Sequence, residues 1–312
     1  MGLTSRITLT STQPDDPEDY LSSSLGVIFP DDVTIQHGDA EHSILYTSPH
    51  LPKPLRISLA DPVGEEDRRL FSHYLWNSSL LLAELIEAGT LGLQTESAAA
   101  NPAALAPSAP PSSFSVTSLS TLELGAGTAL PSFVCALLGA SRVVITDYPS
   151  QPVLANLRAN VASNVRPELS PLGAVPASEG GAVAVVGHEW GDLSSSDASL
   201  GGRGEFDRVL AADCLWMPWQ HDALRRSVAW FLREDEAARA WVVAGFHTGR
   251  ERMRGFFEEE ALAGVGLEVE RMWERDCDGR EREWAWDRGA EDVTERKRWL
   301  VVAILRRVRE GK

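Results

Sequence analysis

Apolar residues along this chain switch between two periods, and the switching predicts its elements. Leu70, Tyr74, Leu75, Leu80, Leu81, Leu82, Leu85 and Ile86 recur with a spacing near 3.6 and predict a helix over 72–88. From residue 118 onward, apolar runs of strand length take turns with helical spacing. Strands are expected at 118–124, 142–147, 182–187, 206–212, 239–246, 267–273 and 298–306, with helices near 130–139, 150–162, 219–233 and 251–263. Such alternation builds an α/β fold, a mostly parallel seven-stranded sheet with right-handed crossovers and helices on both faces. Hairpin closure of the last two strands requires the final one to run antiparallel.

Segments outside this pattern divide the chain. Residues 1–67 are acidic and proline-dotted, as in Pro14-Asp-Asp-Pro-Glu-Asp19, with two short strands expected at 25–29 and 43–47. They read as an N-terminal arm lying on a main domain of residues 68–312. Gln94 to Ser118 is rich in Ala, Pro and Ser and almost uncharged, a composition expected to stay disordered. Further inserts fall at about 167–181 and 192–204, the second a Gly- and Ser-rich flexible loop. Arg275 to Arg298 is highly charged apart from Trp284 and Trp286 and reads as an excursion between the last two strands.

The densest chemistry lies where the first core strand ends, at Thr121-Leu-Glu-Leu-Gly-Ala-Gly-Thr-Ala-Leu-Pro131. Gly125 and Gly127 let backbone N–H groups approach a ligand, and the following helix points its positive end there. A dinucleotide fingerprint needs a third glycine at position 130, which is Leu130, so NAD is disfavoured. The next strand ends in Asp147, where an α/β sheet places a carboxylate for two ribose hydroxyls. A nucleoside-bearing ligand without a pyrophosphate fits this order of strand, turn, helix, strand and acid.

Residues that follow the later strands face the same edge. Trp190, in Gly187-His-Glu-Trp-Gly191, offers a surface for an adenine ring. Asp213 follows Ala212, and Trp216 and Trp219 wall an acceptor site that attracts cations. A carboxylate here orients an amine N–H and stabilises developing positive charge. The plainer readings are a packing tryptophan and a helix-capping acid. His221 and His247 invite a general-base role, but a lone histidine is more often structural, and neither is assigned one.

Charge narrows the partners. The 312 residues carry 29 Lys and Arg against 45 Asp and Glu, a net charge of −16, which disfavours a nucleic-acid backbone as the main partner and suits a cationic one. Cys135, Cys214 and Cys277 are too few and scattered for a zinc site or a disulfide framework. No apolar run reaches membrane-span length, so no membrane association is expected, and a monomer in the cytoplasm or nucleus is.

Taken together, Leu75-Trp76-Asn77, Leu122-Glu-Leu-Gly-Ala-Gly127, Ala129-Leu-Pro131, Thr146-Asp-Tyr-Pro149, Asn160 to Val165, Glu189-Trp-Gly191 and Ala212-Asp213 resemble the seven-strand protein lysine methyltransferase group. Within it they are most similar to a fungal branch described as nicotinamide N-methyltransferase-like, which includes an elongation-factor 1-alpha methyltransferase acting on the N-terminus and a nearby lysine. The resemblance implies a Rossmann-like methyltransferase sheet and S-adenosyl-L-methionine as cofactor. It implies cofactor contacts from Trp76, Gly125, Ala126, Gly127, Asp147, Trp190 and Ala212; Glu123 and Tyr148 are expected beside them, Asp213 and Trp216 are expected nearest the acceptor, and no metal is expected. The acceptor is expected to be an amine of a protein, such as a translation factor. A small amine of nicotinamide type and an inactive cofactor-binding partner protein are the alternatives. After the fourth strand the group usually shows Asp-x-x-Tyr or Asp-x-x-Phe, whereas this chain has Asp213-Cys-Leu-Trp216-Met-Pro-Trp219. The acceptor side therefore carries over less well than the cofactor side.

Overall fold

A computed structural model describes residues 2–10, 35–38, 42–61, 64, 71, 74–93, 111–177, 181–195 and 197–308. The strand expected at 25–29 and residues 94–110 of the expected disordered insert lie outside these residues.

The centre is a sheet of eight strands: β6 (Ser120–Leu124), β7 (Arg142–Asp147), β8 (Val183–Gly187), β9 (Arg208–Ala212), β10 (Arg239–Gly245), β11 (Leu267–Asp276), β12 (Glu281–Glu283) and β13 (Trp299–Arg307). Their spatial order is β12-β11-β13-β10-β9-β6-β7-β8. From β10 to β8 the pairs are parallel, and β13 enters antiparallel between β10 and β11. β6 and β9 are buried at every position, as strands covered on both faces must be. This is the Rossmann-like sheet expected, with all seven strands in place and a short eighth, β12, within the charged excursion.

Five parallel strands place their C-terminal ends on one edge of the sheet, and α2 (Leu130–Leu137), α3 (Gln151–Asn164) and α4 (His221–Phe231) connect them. Leu130 is fully buried, so the position where a dinucleotide fold keeps glycine here fills core volume. The helix expected at 251–263 is broken into α5 (Arg250–Arg254) and α6 (Glu259–Ala263). Glu258, extended with ψ 128°, precedes the second piece.

The first helix, α1 (Asn77–Leu91), starts five residues later than its periodicity predicts, because Leu75–Trp76 form a short strand, β5. β5 pairs with β2 (Gln36–His37), so a piece of the N-terminal segment holds Trp76 from the side. β1 (Ile7–Leu9), β3 (Ile44–Tyr46) and β4 (Leu55–Ile57) make a separate antiparallel sheet. Ile44, Tyr46, Leu55 and Ile57 are fully buried and belong to the same core as Leu80, Phe133 and Val143. Asn160 and Asn164, one turn apart on α3, act as a substitute strand edge: each side chain accepts from and donates to the backbone of residues 56–58, at 2.8–2.9 Å. Those four residues of the N-terminal segment are therefore part of the main core.

Two loops also differ from expectation. Residues 111–118, assigned to the disordered insert, start with a single turn at Pro111–Phe114 and bury Phe114, against Trp241 and Trp273, and Val116. The described residues of 192–204 form neither helix nor strand, as expected, but Leu200 is buried and anchors them.

Candidate active site

The turn after β6 is built to bring backbone close to a neighbour. Gly125 and Gly127 have φ of 64° and 56°, the left-handed region that suits glycine. A Cβ on Gly125 would lie 2.8 Å from the Trp190 ring and 2.9 Å from the Cys214 sulfur. The turn's donors are largely used internally: Ala126 N–H donates to the Thr146 carbonyl at 2.9 Å, and Gly127 N–H to Asp147 Oδ2 at 2.7 Å.

Glu123 lies beneath the turn, fully buried, where its carboxylate accepts from the Ser132 N–H at 3.2 Å and from the Ser132 hydroxyl. It thus meets the positive end of α2, and burial raises its pKa to about 8 against those stabilising bonds. Glu123 lines no part of the pocket described below. The structure places Glu123 under the turn, with Oε2 turned to Ser132.

Asp147 accepts from Gly127 and, through Oδ1, from Tyr148 N–H at 2.8 Å. Burial outweighs those bonds and raises its pKa to about 6. Its carboxylate borders a cleft of about 820 Å³, mouth included, at the C-terminal edge of the sheet. Gly125, Ala126, Gly127, Tyr148, Trp190 and Ala212 line the same cleft, as does Trp76 from across the sheet. The cofactor side of the expected set is assembled, apart from Glu123.

At the other end stand Asp213 and Trp216. Asp213 has φ of 59°, an uncommon value for a residue with a side chain, held by its N–H to the Val243 carbonyl at 2.8 Å. It is nearly buried, and burial raises its pKa, partly offset by His247 and the Gly245 N–H. α4 starts only at His221, so Asp213 caps no helix and the plainer reading of it falls away. Trp216 stands edge-on to Phe71 at 5.5 Å and to Trp219 at 6.4 Å, and Trp219 is 69% exposed. Tyr74 in turn meets Trp76 edge-on at 6.3 Å.

Sequence reasoning left out Phe71, Tyr74, Ser79, His188, Glu189, Cys214, Met217 and Gln220 as site residues, and they also line the cleft. Glu189 and Met217 adjoin residues that were singled out. Phe71 and Tyr74 carried no signal beyond lying beside Leu75-Trp76-Asn77. His221 is buried with Nε2 3.0 Å from the Leu215 carbonyl, a structural role. His247 stands behind the acceptor end, stacked on Trp76.

An open α/β sheet with a ligand cleft at its carboxyl edge, an acid-glycine turn and no third glycine defines a Rossmann-like methyltransferase. The methyltransferase SMU.776, solved with SAH, has the same fold: the TM-score is 0.50 at 10% identity, covering 92% of this chain and 65% of that one. The family model for lysine methyltransferases matches residues 63–260, and the chain belongs to that family.

Relatives include the protein N-terminal and lysine N-methyltransferases EFM7 of three fungi. The Cryptococcus neoformans protein is 42% identical over 110 residues, 34% of this chain and 33% of that protein. For Eremothecium gossypii the values are 32% over 204 residues, covering 64% and 65%, and for Gibberella zeae 26% over 280 residues, covering 85% and 84%. The match thus spans about a third of the Cryptococcus protein.

Proposed function

We propose that the chain is an S-adenosyl-L-methionine-dependent N-methyltransferase whose acceptor is a protein amine, a lysine or an N-terminus. The observation that carries this reading is one continuous cleft that joins the glycine turn and Asp147 at one end to Asp213 and Trp216 at the other. Its residues suit the donor. The turn has spent its Ala126 and Gly127 N–H groups and its helix end is met by Glu123, so it fits a zwitterionic amino-acid group better than a pyrophosphate. Asp147 faces the cleft for ribose hydroxyls, and Trp190 and Tyr148 give flat apolar surface for an adenine ring.

When bound, S-adenosyl-L-methionine supplies a methyl group activated on a positive sulfur. The chain's part is positioning. The ring of Trp216, with that of Trp76 where donor and acceptor meet, attracts a cationic amine, and the Asp213 carboxylate holds its N–H and offsets the positive charge that grows on nitrogen. The protein acceptor finds support in the relatives named for N-terminal and lysine methylation. A translation factor as acceptor is proposed on the resemblance, and a monomer with a cytoplasmic or nuclear site of action is proposed with it.

Transfer of labelled methyl from S-adenosyl-L-methionine into lysate of a strain lacking the chain tests the reading. Label in one protein, recovered as methyl-lysine or an N-methylated terminus, is expected. Label confined to small molecules would turn the assignment toward a nicotinamide-type acceptor, and no label at all would leave a binding protein.

A further inference from the structure

His247 lines no part of the cleft, yet it touches two of its walls. Its ring stacks on the Trp76 indole at a centroid distance of 5.0 Å and an interplanar angle of 19°. Its Nδ1 stands 3.9 Å from Asp213 Oδ1. Trp76 and Asp213 lie far apart in the sequence, and His247 meets both.

The turn that presents it, Phe246–Thr248 after β10, is held firmly. Phe246 is fully buried, stacked on Trp284 at 6.0 Å, with the Arg250 guanidinium 4.1 Å above its ring. Arg250 makes a two-point bond to the buried Glu274, at 2.6 and 3.1 Å, which Arg282 and Arg288 also pair. The charged excursion between the last two strands thereby buttresses the turn. A Cβ on Gly245 would come within 3.0 Å of His247 Nδ1, so the backbone closes in from the other side.

Building on the proposed methyl transfer, we propose that His247 is the positioning residue of the acceptor end, aiming the Asp213 carboxylate and the Trp76 indole at one amine. The groups that act on Asp213 are His247 from this turn, the Gly245 N–H of β10 and Ser78 from α1. His247 is the one among them with a ring that also sets the aromatic wall. Positive charge on the imidazole, with Nδ1 3.9 Å from Oδ1, favours the ionised carboxylate. Asp213 is then ready to hold the acceptor N–H.

Two substitutions and their combination test this. His247→Phe keeps a ring on Trp76 and removes the nitrogen; Asp213→Asn removes the charge that the nitrogen faces. His247→Phe is expected to lower the label-transfer rate into the lysate proteins, at saturating donor, about tenfold, with the double variant about as slow as Asp213→Asn alone. SAH affinity and melting temperature should stay near those of the unaltered protein, which separates positioning from collapse of the fold. A ring-nitrogen NMR signal absent in His247→Phe should shift in Asp213→Asn, and that reading needs no acceptor. An unchanged rate, fully additive losses, or a signal indifferent to Asp213 would each overturn the proposal. Unaltered protein that labels nothing would instead overturn the activity, leaving the NMR signal to decide whether His247 and Asp213 act on one another.

Discussion

Asp147 shows how one residue's surroundings set a condition on binding. Its pKa of about 6 lies above that of an ordinary carboxyl because burial outweighs the bonds from Gly127 and Tyr148 N–H. Below that value the acid holds a proton, and it accepts less well both from the turn and from a ribose hydroxyl. Binding of S-adenosyl-L-methionine or SAH is expected to weaken as pH falls through 6, approaching about tenfold per pH unit if the ionised form alone binds. Asp147→Asn should bind more weakly at every pH and lose that dependence. Calorimetric titration with SAH from pH 5 to 8 checks both, and a flat profile for the unaltered protein would remove Asp147 from the ribose role. The sign for folding is the opposite. The folded chain binds this proton more tightly than the unfolded chain does, so Asp147 lowers stability as pH rises from about 4 to about 6.

At the scale of elements, the strand-turn-helix unit from Ser120 to Leu137 works through close approach. Gly125→Ala adds a methyl that meets Trp190 and Cys214 at under 3 Å and puts a side chain at φ of 64°. Left-handed backbone costs about 1–2 kcal/mol, and overpacking typically about 1–3 kcal/mol more. Thermal unfolding of this variant should fall by several degrees, with SAH binding lost because Trp190 is pushed from its place. Retained binding in a well-folded Gly125→Ala protein would mean that the approach of Trp190 to the turn has slack. β5 is the other telling element. The helix expected over 72–88 includes Leu75 and Trp76, yet antiparallel pairing with β2 makes them strand.

Across the whole molecule, the net charge of −16 favours encounter with a basic acceptor and does little for a donor of small net charge. The KM for a basic protein acceptor is expected to rise as salt goes from 50 to 300 mM, while SAH affinity changes little, because long-range attraction is screened over about 10 Å at ~0.1 M salt. Methyl-transfer kinetics at several salt concentrations measure this directly. A KM indifferent to salt would mean that the acidic surface serves solubility only. The ion-pair cluster on Glu274 belongs to this scale too, since it ties β11, β12 and α5 into one support behind the acceptor end.

The local periodicity and the turn chemistry were enough to determine seven strands, their order of strand and helix, the Gly125–Gly127 turn, and the acids at the strand ends. Each is a statement about neighbours in sequence, and apolar spacing and backbone freedom are properties of neighbours. Tertiary structure alone decided that the described strands β3 and β4 share the main core, and that Phe114 and Val116 are buried. It also decided the meeting of His247 with Trp76 and Asp213. Those contacts join residues tens to hundreds of positions apart, and which ones meet depends on how the sheet brings its strand ends to a single edge.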